Sequence, residues 1–194
     1  MWEKNQLTIK KEANFSGIGL HSGITVKVTL EPANSNSGIV FRRTDLEKDN
    51  EIVANFKNVS SAKLCTKIQN SSGASVSTIE HLMAAFYICG IDNIIVNLNG
   101  PEVPIMDGSA KDFVKIIKDC GFKVLEGKRK FVRIKNKIEL KTEDGKLINI
   151  KPSNQTLDVK FTLNYEKNPL IKTQTNKFNF ANRNLNEIID ARTF

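Results

Sequence analysis

Apolar and polar positions alternate along much of the chain, in the pattern of half-buried strands. The alternation is strict at residues 24–30, and residues 91–99 have a continuous apolar centre that is typical of a buried strand. Shorter runs predict further strands at residues 7–11, 39–43, 51–53 and 63–68. Three glycines within residues 17–23 predict a tight turn or a close approach of the backbone to a neighbour.

Residues 77–86 replace this alternation with a helical period. Ser77 followed three residues later by Glu80 predicts a capping box at the start of the helix, and Gly90 predicts its end. The apolar stripe recurs at i, i+3, i+4 and i+7 and consists of Ile79, Leu82, Met83 and Phe86.

A second helix is predicted after a proline-containing loop at residues 100–109. Its apolar stripe consists of Phe113, Ile116 and Ile117, and Gly121 ends it. Strands, a helix, a strand and a helix follow each other in this part of the chain. This order predicts a two-layer α+β domain, with the helices on one face of a mainly antiparallel sheet.

A glycine and a run of basic residues at 127–130 predict a domain boundary. We therefore assign residues 1–127 to a first domain and residues 128–194 to a second. The second domain begins again with strands, and a helix is predicted from residue 186. Its strands are predicted at residues 131–134, 137–140, 146–150 and 157–163. Since so short a segment can bury only a modest core, we expect the N-terminal part of an incomplete second domain of similar type.

The composition is that of an ordinary soluble protein, with 40% hydrophobic and 26% charged residues. The sequence has no apolar run of the length that crosses a bilayer. Residues 1–6 lack the apolar core of a secretion signal, and we expect a cytoplasmic protein. The three cysteines are widely spaced, which predicts reduced thiols rather than a disulfide framework.

The formal net charge is +8, and two interpretations of it remain open. The basic side chains either cover solvated faces or bind an anionic partner, such as a phosphorylated substrate, a membrane surface or nucleic acid. No basic stripe is interleaved with aromatic residues, which argues against nucleic acid.

Glu80 and His81 are the candidate chemical pair, because the predicted helix places both in its first turn. His81 could bind a metal ion while Glu80 serves as a general base near a metal-bound water. Alternatively, Glu80 is only the reciprocal cap and His81 a hydrogen-bonded helix histidine. His21 is the one other imidazole, and a third ligand would have to be a carboxylate or Cys65. The spacing of these residues does not decide between the two interpretations.

Six stretches together resemble one family, the zinc-dependent UDP-3-O-acyl-N-acetylglucosamine deacetylases of lipid A biosynthesis. They occur in the family's order and at similar spacing, so the resemblance extends from about residue 7 to the end of the chain. The matching stretches are residues 17–23, 38–46, 77–82, 90–93, 101–110 and 191–194.

The resemblance implies two similar α+β domains with the active site between them. It implies hydrolysis of the N-acetyl group of a UDP-linked, 3-O-acylated glucosamine. By position, His81 resembles the zinc ligand of the first domain, and Glu80 the general base that activates the metal-bound water. Thr193 resembles the hydroxyl that stabilises the oxyanion. Leu64, Cys65 and Phe194 match positions that line the substrate site. We further expect a monomer that binds no nucleic acid and makes a peripheral contact with the inner membrane.

One departure from the family limits these expectations. In the family, the other two zinc ligands form a His-x₃-Asp motif, and a further histidine acts as general acid; both would lie beyond Phe194. We therefore expect a C-terminally truncated deacetylase with one zinc ligand present, weak zinc affinity and little or no activity. The alternatives are a non-catalytic remnant of a truncated gene and an α+β module that binds phosphate groups or RNA.

Overall fold

The computed structural model describes residues 4–154, 157–180 and 185–192. The chain divides into two compact units. One unit extends to Arg129 and includes the segment that begins at Asn186, and the other comprises Lys130–Leu185. In the described part of the chain, no helix has the length and apolar character that a bilayer crossing requires.

The described residues of the first unit form short strands and three α-helices. Its helices are α1 (Glu80–Cys89), α2 (Lys111–Asp119) and, from the returning segment, α3 (Asn186–Ile189). Its strands are β1 (Asn5–Ile9), β2 (Ala13–Ile18), β3 (Thr25–Pro32), β4 (Ile39–Arg43), β5 (Glu51–Val53), β6 (Val59–Ser61), β7 (Lys67–Gln69), β8 (Ser75–Val76), β9 (Ile94–Leu98) and β10 (Phe122–Lys128).

A five-stranded sheet forms the centre of this unit, in the order β2-β3-β9-β4-β5. Neighbouring strands are antiparallel except for β4 and β9, which are parallel. Strand β1 pairs with β10, and β6, β7 and β8 form a small separate sheet. The prediction of a mainly antiparallel α+β arrangement is therefore confirmed for this unit.

One hydrophobic core joins the sheet to the helices. Alternate residues of β3 are buried, and α1 buries the face that contains Leu82, Ala85 and Phe86. Helix α2 contributes Phe113, Val114 and Ile117 to the same core. Burial of each such side chain stabilises the fold by about 1.5–3 kcal/mol before conformational entropy is counted. The two apolar stripes predicted for the helices are thus the surfaces that hold α1 and α2 on the sheet.

The strand predicted at residues 63–68 is largely wrong. Strand β7 begins only at Lys67, and Leu64 has a positive φ of 66°. The reason lies in the backbone of Thr66. Its N–H donates to the Glu80 carboxylate and its carbonyl accepts from the Ile79 N–H, so neither group is free to pair in a sheet.

Strands β2, β6, β8 and β10 were not predicted from the sequence. Strand β2 contains Gly17, whose absent side chain leaves room for the neighbouring loop; a Cβ there would lie 2.9 Å from Cβ of Pro104. Strand β10 lies between Gly121 and the basic run at residues 127–130, and its partner is β1, more than a hundred residues earlier in the chain. No local pattern reports such a pairing.

The second unit contains two separate hairpins. Strand β11 (Ile138–Lys141) pairs with β12 (Leu147–Ile150), and β13 (Asp158–Tyr165) pairs with β14 (Lys172–Asn179). Gly145, with φ of 84°, forms the predicted turn of the first hairpin. The strand predicted at residues 131–134 is wrong, since this segment has no regular structure. Strand β14 escaped prediction because its sequence is mostly polar.

Both the charge and the uncovered apolar surface are concentrated in the second unit. Residues 130–185 contain twelve Lys and Arg but five Asp and Glu, so nearly all of the net charge of +8 lies there. On one face of the first hairpin, four apolar side chains are between 44% and 68% exposed. They are Ile138, Leu140, Ile148 and Ile150.

Candidate functional site

Glu80 and His81 lie in the first turn of α1, as predicted, but the capping box does not form. The N-cap residue is Ile79, and its side chain makes no capping hydrogen bond. Ser77 instead donates from its hydroxyl and from its N–H to the Pro101 carbonyl, at 3.2 and 3.0 Å. Ser77 is therefore committed to the loop at residues 101–103, and the helix begins two residues later than the motif predicts.

The Glu80 carboxylate binds a neighbouring loop instead of capping its own helix. Glu80 Oε2 accepts a hydrogen bond of 3.0 Å from the Thr66 N–H, and the Ile79 N–H donates to the Thr66 carbonyl at 3.4 Å. Among the described residues, Glu80 Oε1 has no hydrogen-bond partner. The carboxylate is half-buried and lies at the positive end of the helix dipole, which stabilises its negative charge.

The His81 imidazole is half-buried in the same first turn of α1. Over the part of the chain that the structure describes, it has no hydrogen-bond partner, so the interpretation as a hydrogen-bonded helix histidine finds no support there. A catalytic zinc ion takes three protein ligands and leaves one position for water. Within the described ranges, no group of three or more His, Cys, Asp and Glu side chains could hold a metal ion. These residues alone therefore do not fit a catalytic zinc.

Leu64 and Cys65 lie in the loop that the Thr66 amide ties to Glu80. The Leu64 side chain is 85% exposed, and Cys65 is a half-buried free thiol. The structure thus brings two of the three predicted substrate-lining residues into the loop beside the Glu80–His81 pair.

Thr193 and Phe194 lie outside the described residues. The residues that precede them return to the first unit, where two ion pairs hold them close to the start of α2. Lys111 Nζ lies 3.5 Å from Asp190 Oδ1, and the Arg192 guanidinium lies 3.2 Å from Asp107 Oδ2. The pKa of Asp107 is held below its ordinary value, mainly by hydrogen bonds from the side chain and backbone of Ser109 and also by Arg192.

A buried carboxylate, Glu102, lies behind the start of α1 and was missed by the sequence reasoning. Its side chain is 1% exposed and accepts from the backbone N–H groups of His21 and Ser22 and from the Thr78 hydroxyl. Burial alone would raise the pKa of Glu102, but these hydrogen bonds outweigh it and hold the pKa below its ordinary value. Its position between two prolines, Pro101 and Pro104, was the only signal in the sequence.

His21 contributes its backbone rather than its imidazole to this region. It occupies the tight turn predicted from the glycines, where the Gly23 N–H donates to the Gly19 carbonyl at 2.9 Å. The His21 side chain is exposed, and its backbone N–H binds Glu102. The candidate site therefore consists of the start of α1, the loop at residues 64–66 and the buried Glu102 carboxylate that binds Thr78.

A family model for UDP-3-O-acyl N-acetylglycosamine deacetylase (LpxC) matches residues 6–194. Similar proteins named UDP-3-O-acyl-N-acetylglucosamine deacetylase include that of Wigglesworthia glossinidia brevipalpis, 44% identical over 194 residues, and that of Haemophilus ducreyi, 42% identical over 193 residues. The protein of Nautilia profundicola, which carries the same name, is 45% identical over 190 residues.

These matches cover nearly all of this chain but only part of each relative. Each covers 97% of this chain, but 64%, 62% and 63% of the three relatives respectively. The chain thus spans a little under two thirds of the length of the curated relatives that it matches.

Proposed function

Because this chain belongs to the UDP-3-O-acyl N-acetylglycosamine deacetylase family, we propose that it supplies the first-domain half of a zinc-dependent deacetylase site. The substrate is UDP-3-O-acyl-N-acetylglucosamine, the compound in the names of the relatives. The reaction breaks the amide bond of the 2-acetamido group with water and releases acetate and a free amine. The product is an intermediate of lipid A biosynthesis.

The observation that carries this proposal is the hydrogen bonding of the Glu80 carboxylate, in which only one of the two oxygens has a described partner. Thr66 occupies Oε2, so Oε1 remains to take the proton of the water that attacks the acetamide carbonyl carbon. Hydrogen bonding fixes the carboxylate in place, and a positioned base contributes about 10²–10⁴-fold to such a reaction. The amine that leaves takes its proton from an acid that we do not assign to this chain.

His81 is proposed as one ligand of the zinc ion. Because no three-ligand group exists among the described residues, the other ligands must come from outside them. When bound, zinc supplies a Lewis acid that polarises a carbonyl oxygen and activates water. The imidazole is suited to bind it, since it is half-buried and no described residue competes for its nitrogen atoms.

The remaining site residues line the substrate or stabilise charge. We propose that Leu64 and Cys65 contact the substrate from the loop that Thr66 joins to Glu80. Phe194 is proposed to line the same site, and the Thr193 hydroxyl to donate to the oxyanion that forms on the carbonyl oxygen. The ion pairs of Asp190 and Arg192 support this role for Thr193, because they hold the preceding residues on the first unit.

We propose residues 128–194 as the first part of a second α+β domain. The apolar face of the β11–β12 hairpin supports this, since an isolated two-stranded sheet is only marginally stable and needs a cover for such a face. A polypeptide equivalent to the unmatched third of the relatives is the cover that we propose. Monomeric state, cytoplasmic location and a peripheral contact with the inner membrane remain predictions.

One experiment tests the function directly. The 194-residue chain is fused to the part of the Wigglesworthia glossinidia brevipalpis relative that it does not match, and zinc content and release of acetate from the UDP-sugar are measured. We expect about one zinc per chain and measurable deacetylation. The matched control is Glu80→Gln in the same fusion, which should retain zinc and lose about 10²–10⁴-fold in rate.

Other outcomes of this experiment favour the alternatives. A folded fusion that retains zinc but releases no acetate would overturn the proposal in favour of a non-catalytic remnant. Salt-dependent binding of RNA by the basic second unit, in place of deacetylation, would favour the phosphate-binding module.

A further inference from the structure

Glu102 joins two segments that the sequence analysis singled out separately. Its Oε1 accepts from the Thr78 hydroxyl at 2.7 Å and from the His21 N–H at 3.0 Å. Its Oε2 accepts from the Ser22 N–H at 2.8 Å. A single buried carboxylate thus connects the glycine-rich turn to the residue that lies two positions before Glu80.

Thr78 adopts a backbone conformation that is intrinsically unfavourable for threonine. Its φ is 56°, in the left-handed region, which is strongly disfavoured for a β-branched residue. The side chain is 2% exposed, and its hydroxyl binds Glu102. The backbone around it is held as well, since the Val103 N–H donates to the Ser77 carbonyl at 3.1 Å. Such a conformation persists only where the surroundings enforce it.

The glycine-rich turn is shaped around the same carboxylate. A Cβ at Gly19 would lie 2.5 Å from Glu102 Oε2 and 2.3 Å from the Ser22 hydroxyl oxygen, so no other side chain fits there without movement. The glycine-rich turn donates two backbone N–H groups to Glu102, and Thr78 donates its hydroxyl to the same carboxylate. The carboxylate therefore fixes the direction in which the chain runs into α1.

We propose that Glu102 is a positioning residue that sets the placement of Glu80 and His81 through Thr78. The inference rests on the proposed function, because the placement of this pair matters to chemistry only if the pair forms the site. A carboxylate is required, since its two oxygens accept from three donors that converge on it. A glutamine has a single acceptor oxygen, and its NH₂ group would face a backbone N–H.

The test uses the 194-residue chain, labelled with ¹⁵N and with ¹³C in its histidine rings. The variants are Glu102→Gln and Thr78→Val, which replaces the hydroxyl with a methyl group of similar size, and the matched control is the exposed Glu12→Gln. We expect the His81 ring signals to shift in both variants and the Thr66 amide to exchange about two- to tenfold faster as its bond to Glu80 weakens. Thr78→Ser, which keeps the hydroxyl, should restore the parental signals.

A merely structural role predicts a different result. If the signals of His21 and Ser22 shift in Glu102→Gln while those of His81 and Thr66 are unchanged in both variants, the proposal is overturned. Should Glu102→Gln fail to fold, Thr78→Val decides alone by the same criterion. Inactivity of the fused chain described above would count against the proposed function, but it would leave the shifts of His81 as a valid test of Glu102.

Discussion

The Thr66 N–H donates a hydrogen bond of 3.0 Å to Glu80 Oε2, and this bond joins the loop of Leu64 and Cys65 to the first turn of α1. The loop and the helix are fourteen residues apart in sequence. The carboxylate therefore does two things at once: one oxygen holds the loop, and the other faces no described partner. A residue that the sequence presents as a helix cap is in fact a bridge between two parts of the site.

Replacement of Glu80 by alanine should loosen this loop. We expect a loss of about 0.5–1.5 kcal/mol from the missing hydrogen bond, which would appear as faster hydrogen exchange at the Thr66 amide. Exchange in β3 and β9 should be unchanged, because the loss is local. Glu12→Ala, at an exposed position, is the control. Equal exchange at Thr66 in the parent and in Glu80→Ala would contradict the importance of the bond.

Gly19→Ala should destabilise the first unit by about 1–3 kcal/mol, because the added methyl group would meet Glu102 Oε2 and the Ser22 hydroxyl oxygen. Chemical denaturation followed by circular dichroism measures the change. Adding Ser22→Ala removes the nearer of the two contacts and should recover part of the loss. A double variant no more stable than Gly19→Ala would show that Glu102 alone excludes a side chain at this position.

Acid should destabilise the protein partly through Glu102. Its pKa is lower in the folded chain than in the unfolded one, so its contribution to stability is complete above the unfolded pKa of about 4.3 and is lost as the pH falls through the folded pKa. Urea denaturation between pH 3 and pH 7 should show a steeper loss for the parent than for Glu102→Gln. Asp45, whose pKa is lowered by its hydrogen bond from Arg43, leaves the variant a residual slope of the same sign.

The 194-residue chain alone should bind zinc weakly and show little or no deacetylation. A single imidazole cannot replace three ligands, and no three-ligand group is present in the described ranges. Loss of a residue that hydrogen-bonds to a metal ligand weakens metal binding by roughly 10–100-fold. In the fused chain, His81→Ala removes a proposed ligand itself and should weaken zinc binding by more than that. Metal analysis after gel filtration measures both. Stoichiometric zinc and turnover by the unfused chain would refute this expectation.

The β11–β12 hairpin should exchange its amide hydrogens much faster than β3 and β9. Its apolar face is uncovered in this chain, whereas the central strands are buried between neighbours. Hydrogen exchange read by mass spectrometry distinguishes the two regions. In the fused chain, protection at residues 138–150 should rise. Equal protection of the hairpin in the fused and unfused chains would argue against the proposed cover.

The sequence predicts the elements whose determinants are local. Strands β4 and β5 lie where the apolar runs place them. In the predicted stripe of α1, Ile79, Leu82 and Phe86 are buried and Met83 is half-buried. Gly90, with φ of 71°, ends α1 as its lack of a side chain allows. In each case the residues that decide the structure are within one turn or one strand of each other.

The predictions are wrong where a hydrogen-bond partner that is distant in sequence determines the local structure. Ser77 fits a capping box by spacing, but the Pro101 carbonyl takes its hydroxyl. Residues 63–66 lie in a run that predicts a short strand, but the Thr66 N–H donates to Glu80 instead of pairing in a sheet. Glu102 fits no helix, strand or capping pattern, and its donors come from residues that lie more than twenty positions away. The helical position of Glu80 and His81 could be predicted from the sequence, but the hydrogen-bond partners of Ser77, Glu80 and Glu102 could not.

The place of β9 in the sheet has a consequence for folding during synthesis. Strand β9 lies between β3 and β4, yet it is made after every other strand of that sheet. The growing chain therefore carries two separate hairpins, β2–β3 and β4–β5, that have nothing to join them until Leu98 has left the ribosome. Their core side chains, including Val28 and Phe41, face water over that interval, and it is then that the nascent chain most needs the protection of a chaperone.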